Sequence, residues 1–563
     1  MRSWIGVALL LSAASICIVG AEAQGRGQAR SMVITRYGIV ASESPLASQA
    51  GVHILEKGGN AVDAAIAANA MMGVVEPMMN GIGGDLFAIV YDAKANRLYG
   101  LNASGWAPKG LTIEFLQKQG LKEMPKSGVH TIDVPGAVDG WQKLADKFGR
   151  KKLSDDLAAA IRTAREGFPV SELVASYWSQ NLDKLRENEE TARIYLPKDH
   201  APRTGEFFSN VDLAAALEAI ASGGRDTFYK GELAKKMLAG MKRHGGTMTE
   251  EDLSKFSSEW VEPISTTYRD WTVYELPPNG SGMAALMMLN IMENLPLGQK
   301  GYEFGTAKAL QAEIEAKKLA YIDLQKYIGD PRDQAKKLPV EKLLSKEWAA
   351  ARAKQIDGDH ANCNPTAGEM EGGSDTTYLS VVDRDGNMVS LIQSNYSLFG
   401  SGIVAPGTGF VLHNRGALFV MDPASPNALT GRKRPLHTII PGFAQKGDVR
   451  LAFGIMGGWN QSQAHAQYIA DLADYKMNIQ AAMEAPRFTK LTFRGCDVMM
   501  ENRFSQKVRD ELAAKGHQIE ALPPFADNMG GGQAVLRDFA AGVNYGASDP
   551  RKDGEAIPEM PPN

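Results

Sequence analysis

The chain has 563 residues, of which 44% are hydrophobic and 22% charged, with a formal net charge of -4. This is the balance of a soluble globular protein with ample core, and, with no long basic run, it leaves no footprint for nucleic acid or an acidic membrane. Roughly three or four domains fit such a length, and neither a solenoid period nor a low-complexity tract divides it.

The first residues read as an export signal. Arg2 supplies a positive charge, Ile5 to Val19 form an apolar run too short to favour a membrane span, and Ala21-Glu22-Ala23 is an A-x-A cleavage site before Gln24. Residues 1–23 are therefore expected to be removed, leaving a periplasmic or secreted protein with no membrane span. Cys17 lies within the signal and lacks the Leu and small residues that precede a lipid-attachment cysteine. Of the three cysteines only Cys363 and Cys496 then remain. An oxidising compartment permits them to pair, but sequence does not say whether they meet. The nine histidines form no H-x-x-x-H pair and no recognisable ligand set with carboxylates, so neither a metal nor a cofactor is expected.

From Ser44 to Pro77 the pattern predicts two packed helices. Leu46 to Lys57 ends at Gly58-Gly59, and Asn60 caps an alanine-rich helix that closes before Glu76-Pro77. Asn80 to Gly84 is a turn, and Leu86 to Tyr91 an apolar run of the kind found in buried strands. No Lys-Ser/Thr follows these glycines and the strand comes after them, which argues against a phosphate loop. Leu153 to Ala353 is rich in helical signals. Thr249 and Asp252 make a capping box, and Ala307 to Tyr327 keeps apolar residues on one face with Glu and Lys on the other. Trp271 to Glu275 reads as a strand.

The stretch Glu371 to Ser394 carries the chemistry. Small, flexible Gly372-Gly373-Ser374-Asp375 leads into a hairpin, with Thr377 to Val382 extended, Asp383 to Asn387 a turn and Met388 to Gln393 extended again. Thr376 either opens an ordinary strand or is a concealed chain start. A threonine hydroxyl is a weak nucleophile until the residue becomes an N-terminus, when its own α-amine, with an ordinary pKa of roughly 7.7 to 8.0, serves as general base.

Around this hairpin the sequence resembles the γ-glutamyltranspeptidase family of N-terminal-nucleophile hydrolases. Gly58 to Asp92 is similar to the family's N-terminal signature and Val134 to Trp141 to the turn that follows it. TTYLSVVDRDGN, FGSGIVAPGTGF, KRPLHTIIP, GIMGGW and YGASDPRKDGEAI then recur in the family's order. The resemblance implies an α/β fold, a four-layer αββα sandwich with an additional helical region. It also implies self-cleavage between Asp375 and Thr376 into a large fragment, residues 24–375, and a small one, residues 376–563, which stay intertwined as a heterodimer. In that frame the Thr376 hydroxyl attacks the Asp375 carbonyl, an N-to-O acyl shift and hydrolysis free the amine, and the same hydroxyl then attacks an amide substrate. Ser394 orients the nucleophile, the amides of Gly457 and Gly458 hold the oxyanion, and water or an amine accepts the acyl group.

The substrate end departs from the family. Glutathione-cleaving members fix the glutamyl carboxylate with an Arg where this chain has Ser104, and the amine with Gln and Asp where it has Arg415 and Leu418. A Ser-Ser pair becomes His437-Thr438. Ser104, Arg415, His437 and Thr438 are thus the candidate substrate contacts, with Arg415 turned either into the pocket or to solvent. The segment from Phe419 to Arg434 is shorter than in lidded members, which predicts an open cleft and hydrolysis over transfer. The leading reading is cleavage of γ-glutamyl amides such as glutathione. An amidase for carboxyacyl amides of glutaryl or oxamate type, and an unprocessed periplasmic binding protein that kept the fold, are the alternatives.

Overall fold

The computed structural model describes residues 28–333, 337–364 and 375–561. The expected signal, residues 1–23 with Cys17, and the small residues Gly372 to Ser374 lie outside them. Fourteen strands make two seven-stranded antiparallel sheets. In chain order they are β1 (Val33–Thr35), β2 (Ile39–Ser42), β3 (Asp85–Asp92), β4 (Arg97–Ala103), β5 (Glu259–Val261), β6 (Ile264–Tyr268), β7 (Trp271–Glu275), β8 (Asp375–Val382), β9 (Met388–Tyr396), β10 (Gly442–Lys446), β11 (Val449–Ile455), β12 (Gly532–Asp538), β13 (Val543–Ser548) and β14 (Glu555–Pro558). The first sheet runs β14-β2-β8-β9-β3-β4-β5 and the second β1-β13-β12-β11-β10-β7-β6.

Side-chain alternation along these strands separates three cores. Tyr378, Val382 and Ile392 face inward and meet Phe443, Ala452 and Val535 of the second sheet. Their neighbours Leu379, Val381 and Leu391 face outward, against α1 (Pro45–Glu56), α2 (Ala61–Val75) and α3 (Ala137–Phe148). On the far side α4 (Gly282–Met292), α5 (Ala307–Tyr327) and α6 (Asn460–Ala473) cover Leu451, Phe453 and Ile455. The result is the four-layer αββα sandwich, with a further helical region whose Leu157, Trp178 and Leu217 pack onto the first helical layer.

Local chemistry sets the elements nearest the site. Asn60 accepts from the Val62 and Asp63 amides while the Asp63 carboxylate returns to the Asn60 N–H, so α2 starts where the capping rule places it. Its alanine-rich body then buries on nearly every side, which small residues permit. Thr249 and Asp252 form their capping box too. The Asp383 to Asn387 turn closes the β8–β9 hairpin with Gly386 at φ +87°.

The expectation for Ala307 to Tyr327 needs correction. The helix has the predicted bounds, but Glu313, Glu315, Lys317 and Lys318 are buried with the apolar face. A small sheet, Phe488–Thr489 with Asp497–Glu501 and Gln518–Leu522, covers that side. Its neighbourhood supplies the partners: Lys317 donates to the Thr492 carbonyl at 2.9 Å, and Lys318 pairs with Glu315 at 2.7 Å. The disulfide Cys363–Cys496 lies beside them, Lys318 Nζ standing 3.9 Å from Cys496 Sγ. Among the described residues no helix is long and apolar enough to cross a membrane.

Candidate active site

Thr376 stands at the head of β8, at a register shift against β9 between Asp375 and Thr377. It is fully buried, and its Oγ1 donates to Ser394 Oγ at 3.1 Å. Ser394 also accepts from the Tyr396 N–H at 2.8 Å, a bond made possible where Tyr396 turns to φ +77° at the end of β9. The hairpin therefore presents the threonine oxygen already hydrogen-bonded and aimed.

Arg415 lies on a short helical turn, Arg415–Leu418, and is completely buried, which settles its orientation against the solvent-facing alternative. The guanidinium stacks over the Tyr396 ring at 4.6 Å and donates through Nη1 to Thr438 Oγ1 at 2.7 Å. Nε and Nη2 have no hydrogen-bond partner among the described residues. Burial pulls the guanidinium down to about 10, with Asp85, Tyr396 and Asp133 opposing.

Beneath Arg415 sits a cluster of which sequence reading named only His437. Asp85 opens β3 directly opposite Ser394 in register. Its Oδ1 accepts from the Gly105 N–H at 2.9 Å and its Oδ2 from His437 Nε2 at 3.0 Å, with His413 Nδ1 3.8 Å away. The Ile439 N–H on His437 Nδ1 and the Arg415 N–H on His413 Nδ1 leave each ring its proton on Nε2. Burial pushes the Asp85 carboxyl up, but His413, His437 and Arg415 together outweigh it and hold it at about 2. Burial and the Arg415 charge keep His437 neutral, at about 3, in spite of that carboxylate. His437 thus lies beside a carboxylate that is far away in the chain. Among the described residues no group of three His, Cys, Asp or Glu side chains is placed to hold a metal ion.

Gly457 and Gly458 follow β11 at φ +122° and +57°, backbone that a Cβ would strain. Neither N–H has an acceptor among the described residues. Gly454, just before them, packs so closely under the Tyr378 ring that a Cβ would meet it at 2.4 Å, which lays the end of β11 over the start of β8. Ser104 is buried. Its hydroxyl is spent on Asn102 Oδ1 at 2.7 Å, and its carbonyl accepts from Arg434 Nε at 3.0 Å. Thr376, Ser394, Arg415, His437 and Thr438 are all buried. The intact Asp375–Thr376 bond keeps Thr376 inside a continuous strand.

A buried threonine at a strand head, paired with a serine hydroxyl between two packed sheets, belongs to the N-terminal-nucleophile hydrolase fold. The more specific assignment comes from comparison with known proteins. The chain belongs to the γ-glutamyltranspeptidase family, whose model matches residues 47–559, and it is a hydrolase of that family. It is 37% identical, over 93% of its length and 99% of the relative's, to a glutathione hydrolase-like proenzyme, YwrD, of Bacillus subtilis (strain 168). An oxamate amidohydrolase proenzyme of Klebsiella pneumoniae subsp. pneumoniae is 33% identical over 93% of this chain and 98% of its own. Among solved structures, a cephalosporin acylase from Bacillus halodurans superposes with a TM-score of 0.87 at 42% identity, covering 94% of this chain and 97% of that one.

Proposed function

We propose that this protein is an exported, self-processing amidohydrolase that cleaves γ-glutamyl amides, glutathione among them, through an acyl-enzyme on Thr376. The single observation that carries the reading is the Thr376 Oγ1–Ser394 Oγ hydrogen bond at a buried strand head. Cleavage before Thr376 would release residues 376–563 from residues 24–375 and turn the α-amine into the base that takes the hydroxyl proton. Attack on the amide carbonyl then forms an ester to Thr376 Oγ1 and expels the amine. The amides of Gly457 and Gly458 are the candidate oxyanion donors, and water completes the cycle in preference to an amine acceptor. Export rests on the signal-like residues 1–23.

A second reading, hydrolysis of carboxyacyl amides that lack an α-amine, is favoured by one observation: Arg415 brings a cation where an amine would otherwise bind. Two measurements test the proposal. Mass spectrometry of the purified protein is expected to find a fragment beginning at Thr376, and a Thr376→Ala variant is expected to stay uncut and inactive. Turnover of γ-glutamyl-p-nitroanilide should exceed that of the glutaryl compound; the reverse order would favour the second reading.

A further inference from the structure

Asp133 precedes α3 in the loop after a short helical turn, Val129–Thr131. Its carbonyl accepts from His413 Nε2 at 3.0 Å, which ties this loop to the segment carrying Arg415. The carboxyl group is fully buried, and neither oxygen has a hydrogen-bond partner among the described residues. The Gly416 backbone lies against it, so close that a Cβ there would stand 3.1 Å from Asp133 Oδ1. Arg415 is the adjacent residue, with Nε and Nη2 also unpaired. Each side chain is within electrostatic reach of the other, yet neither takes the other as its hydrogen-bond partner.

Buried donors and acceptors are rarely left without partners unless something else completes them. Here two unpaired donors on one edge of a guanidinium and two unpaired carboxyl oxygens lie within electrostatic reach of each other. The Nε–Nη2 edge matches a carboxylate in a bidentate bond, and a carboxylate's acceptors match the three donors of an ammonium. Asp85 already accepts from Gly105 and His437, whereas neither Asp133 oxygen has a partner among the described residues. We propose that Arg415 and Asp133 form a two-point receptor for an α-amino acid end, Arg415 holding the carboxylate and Asp133 the neighbouring ammonium of a γ-glutamyl donor. The inference rests on the reading of Thr376 as nucleophile and deepens it: the zwitterion is read by a pair placed elsewhere than the Arg and Asp that Ser104 and Leu418 replace. Burial and the Asp85 charge hold the Asp133 carboxyl well above the ordinary carboxylate range against the pull of Arg415, and an ammonium beside it would favour the ionised form.

Three p-nitroanilides separate the two contacts. The γ-glutamyl compound carries both groups, the glutaryl compound lacks the ammonium, and the 4-aminobutyryl compound lacks the carboxylate. The processed wild-type enzyme is expected to favour γ-glutamyl over each of the others in kcat/KM by about tenfold or more, the penalty of leaving a buried polar group unpaired. Asp133→Asn, which keeps the shape, should raise KM for γ-glutamyl about tenfold and leave glutaryl KM within about threefold. Arg415→Met should raise KM for both carboxylate donors and spare 4-aminobutyryl. Glutaryl turned over by the wild type as well as γ-glutamyl, or an Asn variant that weakens both alike, overturns the receptor. The wild-type comparison decides even if the variants do not fold. Absence of a Thr376-first fragment and of turnover on all three would instead overturn the nucleophile reading, and the receptor with it.

Discussion

Ser394 accepts two hydrogen bonds, from Thr376 Oγ1 and from the Tyr396 N–H, so its oxygen fixes the nucleophile to the backbone of the next turn. Replacing it by alanine removes the acceptor that aims the threonine hydroxyl. The expected loss is roughly 10- to 100-fold in kcat, about 1.4–2.7 kcal/mol of barrier lowering, with KM changed far less. Ser394→Thr restores the hydroxyl and should recover most of it; an alanine variant at full kcat would remove Ser394 from the chemistry. At this scale the sequence was readable where residues sit inside one recognisable stretch, as Thr376, Ser394, Arg415 and Thr438 do. Asp85 and Asp133 escaped it. Their significance lies in contacts with His413, Arg415 and His437, hundreds of positions away, and nothing in the local periodicity of Gly83 to Leu86 or Ile132 to Val134 signals a carboxyl group turned into a site.

Among the elements, the β8–β9 hairpin and the α1–α2 pair were legible because turn glycines and a capping box are local signals. Helix α5 was not. Its pattern of Glu and Lys has the period of a solvent-facing stripe, and only the small sheet packed on it makes that stripe interior. One consequence is measurable. Glu313 is buried and accepts from Tyr475 Oη at 3.0 Å, and burial pushes its carboxyl up to about 8. The folded protein therefore holds this proton, and the unfolded chain does not, between the ordinary value of 4.5 and about 8. Stability from this group is highest below that window and falls as pH rises through it, by up to about 1.4 kcal/mol per unit. Glu313→Gln removes the titration, so its stability relative to wild type should improve from pH 5 to pH 8 in urea unfolding. A difference that stays constant with pH would show that Glu313 ionises in the fold as it does in water.

For the whole molecule, strand pairing decides what self-cleavage can release. β8 and β9 follow Thr376 but pair with β2 and β3, which precede it; β13 likewise pairs with β1, and β10 with β7. Neither sheet belongs to one fragment, an arrangement that family resemblance implied and strand propensity alone did not, since it depends on pairings over most of the chain. The disulfide would add a covalent tie across the proposed cut, for Cys363 precedes Thr376 and Cys496 follows it. Sequence left that pairing open because no spacing rule reaches over 133 residues. The processed wild-type enzyme should therefore run as a single band in denaturing electrophoresis without reductant and as two bands with it. Cys496→Ser should give two bands in both lanes yet remain one particle under native conditions, held by the shared sheets. Two bands from the wild type without reductant would show that the bond does not survive in the mature enzyme. A single band in both lanes would mean instead that the chain is never cut, so the gel separates a failure of the disulfide from a failure of processing.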